Sequence, residues 1–156
     1  MGFKVSLILI LFLTLAAGPA FSAEPAAPGK KDRCPVCGMF VAPYPDWIAT
    51  IVFEDKSQLF FDGCKDLFRY YFNLSADQGQ QSRKQIESVY VTEYYSTRIM
   101  KAEDVFFVLG SDVYGPMGKE LIPVAGKESA MTFLRDHQGT EILSFDQVKP
   151  FKLPAD

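Results

Sequence analysis

Along this chain the apolar positions change rhythm several times, and each rhythm predicts an element. Val5 to Ala17 is an apolar run interrupted only by Ser6 and Thr14, behind Lys4 and ahead of Gly18-Pro19. Its length, about 13 residues, falls short of the roughly 20 that a spanning helix needs. A charge, an apolar stretch and the small residues Ala20, Ser22 and Ala23 follow the order of a secretory signal. Residues 1–22 are therefore expected to act as a signal peptide, with cleavage after Ser22 or Ala23. The stretch 23–32, with Pro, Ala and Lys but no periodicity, reads as a flexible lead-in. A folded domain is expected over 33–150.

Within that domain, Asp46 to Phe53 is rich in β-branched and aromatic residues, Glu54 to Ser57 is polar, and Gln58 to Phe61 resumes the apolar pattern. This predicts a hairpin. Asp62 and Gly63 then offer a helix start, and Cys64, Leu67, Phe68, Tyr71 and Phe72 recur at the spacing of one helix face. A polar loop, Ser75 to Gln85, leads to a strand at Ser88–Tyr95. The order then repeats with a strand at Asp104–Gly110, a turn at Ser111–Gly118 and a returning strand at Glu120–Val124. A helix at Lys127–His137 carries Ala130, Phe133, Leu134 and His137 on one face, and Glu141–Leu143 closes as a short strand. Neither half alone holds a core of comfortable size. The expected fold class is α+β, two packed ββαβ-type units forming one small domain.

Composition narrows the function. Hydrophobic residues at 48% and charged residues at 22% exclude wholesale disorder. With Lys4 set aside, 15 basic residues face 19 acidic ones, a net charge of −4. A nucleic-acid binder shows the opposite balance, so none is expected as a partner. His137 has no nucleophile elbow to serve, and no Gly-rich phosphate loop occurs. Catalysis is not expected.

Chemistry concentrates in Cys34-Pro35-Val36-Cys37-Gly38-Met39, which sets two thiols and a thioether within six residues. Soft sulfur donors select Cu(I), Zn or an Fe–S cluster. A structural disulfide is the alternative, because an exported chain meets oxidising conditions. A thioredoxin-like redox pair is disfavoured, since Pro43 and Pro45 follow where that motif opens a helix. Met117, between Gly115-Pro116 and Gly118, buries little in a turn and suits a soft metal or a partner as well as it suits packing. His137, the one histidine, is either a ligand or a hydrogen-bonded residue at the core edge. Cys64, on the apolar side of the first helix, packs as a small hydrophobe. A Cys34, Cys37, Cys64 and His137 set would match a zinc site in number, but the spacing neither supports nor excludes it.

CPVCGM at 34–39, VYVTEYYSTRIMKAEDVFFVLGSDVYGPMGKELIPV at 89–124 and AMTFLRDHQGTEILSFDQV at 130–148 together resemble the NosL family, exported copper-binding accessory proteins of nitrous-oxide reductase maturation. The likeness runs from Arg33 to Val148. CPVCGM alone is shared with small YHS and TRASH-type metal-binding domains, while GPMGKELIP followed by a helix ending in His is more specific. The resemblance implies Cu(I) held by a Cys, a Met and a His. Those roles fall to the Cys34/Cys37 pair, to Met117 or Met39, and to His137. It further implies a metallochaperone handing copper to apo nitrous-oxide reductase or another copper-accepting protein in the periplasm. The family's His-Gly-Gly is here His137-Gln138-Gly139, and no lipobox Cys follows the apolar run, so membrane attachment after cleavage is not expected.

Overall fold

The structure, a computed structural model, describes residues 24–74 and 82–155. The expected signal peptide and most of the 75–85 loop lie outside the described residues. Among those residues, no helix is long and apolar enough to cross a membrane.

The first unit pairs β1 (Ala49–Phe53) with β2 (Gln58–Phe61) as the expected hairpin, followed by α1 (Cys64–Asn73). β3 (Ile86–Thr92) returns against the other side of β1, and β4 (Ile99–Lys101) extends the antiparallel sheet in the order β2-β1-β3-β4. β3 ends at Thr92, so Tyr94 and Tyr95, expected at the end of that strand, stand in the turn before β4. In the second unit β5 (Val105–Leu109) is central, flanked by β8 (Ile122–Ala125) and β9 (Glu141–Leu143), with α2 (Lys127–Asp136) between the last two in sequence. The Gly-Pro-Met-Gly turn is itself a small ribbon, β6 (Tyr114–Gly115) against β7 (Gly118–Lys119). Gly118 takes φ 88, which L side chains rarely adopt.

Period-2 alternation along β5 decides how the units join. Val105, Phe107 and Leu109 enter a core shared with Ile51, Phe53, Phe61, Leu67 and Phe68 of the first unit. Val108 points the other way, into a smaller cluster with Ile122, Val124, Ala130 and Phe133 under α2. The ring of Phe68 on α1 meets Phe107 on β5 edge-on, centroids 5.0 Å apart. All five residues of β1 are buried, as a strand covered on both faces must be. The two ββαβ units thus share one core.

Of the two residues that offered the helix start, Gly63 is the N-cap of α1 and Asp62 is not. Glu120, just before β8, supplies the acceptor instead, its carboxylate taking the Lys65 backbone N–H at 3.0 and 3.2 Å. A Cβ at Gly63 would lie 2.7 Å from that carboxylate, so a side chain there would have to displace Glu120 from its capping position.

Candidate metal centre

The segment holding Cys34 and Cys37 is a tight knuckle. Cys34 N–H donates to the Met39 carbonyl at 2.8 Å and Gly38 N–H to the Cys34 carbonyl at 2.9 Å, with Gly38 at φ 77. The Arg33 side chain clamps it from outside, donating to the Gly38 carbonyl at 2.7 Å and lying 3.6 Å above the Phe40 ring. This turn brings both sulfurs to one side and aims them at the start of α1.

There they meet two carboxylates that sequence spacing did not single out. The Cys34 thiol donates to Asp66 at 3.4 Å, and the Cys37 thiol to Asp62 at 3.3 and 3.4 Å. One donor atom from each of Cys34, Cys37, Asp62 and Asp66 lies within 4.8 Å of all the others. Asp62 precedes α1 and Asp66 stands in its first turn, four positions on. An Asp-x-x-x-Asp spanning a helix start was the available signal. Cys34 and both aspartates are buried, whereas Cys37 is half-buried.

Burial is the main force on the thiols. It pushes Cys37 up to about 11 and Cys34 higher still, with the neighbouring carboxylates adding to the rise and backbone N–H groups of the knuckle opposing it. Both sulfurs therefore carry protons at neutral pH, and a cation that enters must displace them. Two sulfur and two oxygen donors at this separation can hold one metal ion.

Of the other residues singled out from sequence, Met39 stays beside Cys37, and Met117, His137 and Cys64 stand elsewhere in the fold. Met39 lines a surface hollow of about 370 Å³ together with Cys37, Phe40 and Tyr44. Met117 is 37% exposed in the β6–β7 turn and lines a different hollow, with Ser111, Lys119 and Glu120. His137 caps the C-terminal end of α2, its Nδ1 3.1 Å from Asp112 and its ring stacked 4.3 Å from Phe133. Cys64 is buried in the shared core beside Leu67 and Phe68.

The family model for NosL matches residues 25–153. The chain belongs to the NosL family. Its fold is similar to the crystal structure of the copper chaperone NosL from Shewanella denitrificans, with a TM-score of 0.68 and 20% identity over 83% of this chain and 99% of that one. The solution structure of the apo-NosL protein from Achromobacter cycloclastes matches with a TM-score of 0.48 and 22% identity, over 67% of this chain and 87% of that one. No curated protein matches the chain. The likeness to the Shewanella denitrificans structure establishes the fold.

Proposed function

We propose that this protein is an exported Cu(I)-binding metallochaperone that delivers copper to a periplasmic copper enzyme, nitrous-oxide reductase. The observation that carries the reading is the pair of converging thiols, Cys34 and Cys37, in a chain of the NosL family. Cu(I) favours few, soft ligands. Two thiolates satisfy it, and Met39, which shares a hollow with Cys37, is the thioether placed to join them.

Delivery needs a ligand that an acceptor can displace. Cys34 is 1% exposed and anchored from behind, whereas Cys37 opens on the hollow. An incoming sulfur or nitrogen reaches the metal from the Cys37 side, and the ion passes by exchange while Cys34 still holds it. As copper leaves, the two thiolates regain protons and donate again to Asp66 and Asp62.

A second reading, a zinc-stabilised structural module, draws on one observation: Asp62 and Asp66 complete a four-donor set that suits tetrahedral zinc. Metal-free reduced protein should compete with a chromogenic Cu(I) chelator for about one equivalent and prefer Cu(I) to Zn(II). Asp62→Asn with Asp66→Asn should lower zinc affinity about tenfold or more and leave Cu(I) affinity within a few-fold. Zinc held through purification with no Cu(I) uptake would decide for the structural module. Transfer is tested by mixing copper-loaded protein with apo nitrous-oxide reductase, separating them and assaying each for copper. Export is tested by the mass of the periplasmic species, which should begin at Ala23 or Glu24.

A further inference from the structure

A cavity of about 370 Å³ opens on the seam between the two units and shares no residue with the thiol and carboxylate cluster. Trp47, beside β1, and Tyr94 and Tyr95, from the turn after β3, supply aromatic walls. Asp46 adds a carboxylate at the exposed side, and no Lys, Arg or His lines the space. The Tyr94 and Tyr95 rings stand 5.1 Å apart at 80°, making a corner of two perpendicular rings. Such a volume lies within the range of small-ligand pockets.

The turn that carries the two tyrosines is held before any guest arrives. Glu93 accepts hydrogen bonds from the Ser96 backbone at 2.7 Å, the Ser96 hydroxyl at 2.6 Å and the Ala125 backbone at 3.2 Å. Tyr94 N–H donates to the Pro123 carbonyl at 2.9 Å, tying the turn to the second unit. Thr97, which lines the cavity, sits at φ 52, a conformation that a β-branched residue adopts only when its surroundings impose it. A rigid aromatic wall lowers the ordering cost of binding. The electrostatics favour one sign of guest. Aromatic faces are electron-rich, Asp46 is anionic, and the Tyr95 phenol is disfavoured from ionising by burial and then by the charges of Asp136 and Glu93.

We propose that this cavity binds an organic cation, an alkylated ammonium or a guanidinium group. Hard metal cations require oxygen cages that ring faces do not offer, and an anion meets Asp46. The same chemistry is carried by a free quaternary amine and by the Arg side chain of another polypeptide. Neither source depends on the copper reading.

Trp47 is the one tryptophan of the chain, so its emission reports on this cavity alone. Metal-free reduced chain is titrated at constant ionic strength with choline, with N-acetyl-argininamide and with the uncharged carbon isostere of choline. A saturable change with choline, argininamide or both is expected, and the tightest cation should bind roughly fivefold or more tightly than the isostere. Saturation with choline alone assigns the site to a small amine, and with argininamide alone to a polypeptide side chain. Asp46→Asn and Tyr95→Leu should each weaken binding roughly two- to fivefold, while Tyr95→Phe keeps the ring and the affinity. Failure of both cations to saturate, equal affinity for the uncharged isostere, or indifference to Asp46→Asn would overturn the proposal.

Discussion

Lys65 Nζ donates to the main-chain carbonyl of Met117 at 2.8 Å, across 52 positions of sequence. The same residue's backbone N–H is held by Glu120, and its neighbour Asp66 accepts from the Cys34 thiol. The β6–β7 turn of the second unit is thereby tied to the helix turn that faces the cysteines. Lys65→Met keeps the buried stem and deletes the donor. Amide exchange at Gly118 and Lys119 should accelerate, and denaturant titration should show a loss of about 1–3 kcal/mol. Unchanged protection would mean that β6–β7 pairing alone holds the turn.

The cysteines should separate by variant. Cys34→Ser and Cys37→Ser should each weaken Cu(I) binding by about tenfold or more. Cys64→Ala should cost on the order of 1 kcal/mol of stability, for one small buried group, and leave affinity unchanged. Chelator competition and thermal melts read the two effects independently. Loss of binding in Cys64→Ala with retention in Cys37→Ser would reverse the assignment.

Glu120 gives a pH dependence with a definite sign. Burial, opposed by the Lys65 backbone N–H and the Lys65 charge, pushes its carboxyl up to about 8 from an ordinary 4.5. A raised carboxyl means the fold prefers the protonated form. Its contribution is complete below about pH 4.5, declines as pH rises and is gone above about pH 8. Glu120→Gln keeps an oxygen acceptor for Lys65 and cannot ionise. Melting curves collected across that window should fall with pH more steeply for the wild type than for Glu120→Gln. Parallel curves would place the Glu120 titration outside it.

His137 is tested by charge. Its Nδ1 lies against Asp112 and its ring against Phe133, contacts that Met cannot reproduce but that lie apart from the donor cluster. Cu(I) affinity measured from acid to neutral pH should give the same profile for the wild type and His137→Met, set by the thiols that must release protons. A pH profile that differs between the two would make the imidazole a ligand.

Much of the architecture was legible because local chemistry repeats. The hairpin at Ala49–Phe61, the apolar faces of α1 and α2, and the strand-strand-helix-strand succession along each unit follow from period-2 and helical spacing that need no distant partner. β4 was not, because three half-buried residues, Ile99 to Lys101, carry too little pattern to stand out from a turn. The aromatic corner was missed for a related reason. A β-rich reading of SVYVTEYY extends the strand through Tyr94 and Tyr95, whereas Glu93, by bonding Ser96, bends the chain there.

By itself the sequence determined most of the elements, the knuckle and its sulfurs, since Cys-x-x-Cys-Gly closes on itself through bonds only a few residues long. What it could not determine is what those sulfurs face. Asp62 read as part of a helix start, where a carboxylate is ordinarily solvated, and Asp66 was not singled out. Only tertiary packing turned them inward, by laying the knuckle over the first turn of α1 while Glu120, from the other unit, took the vacant capping role. Such a cluster joins residues about 30 positions apart, from Cys34 to Asp66, and no local rule spans that separation. Long-range contacts are set by which buried surfaces fit, and that is decided when the two units close on a common core.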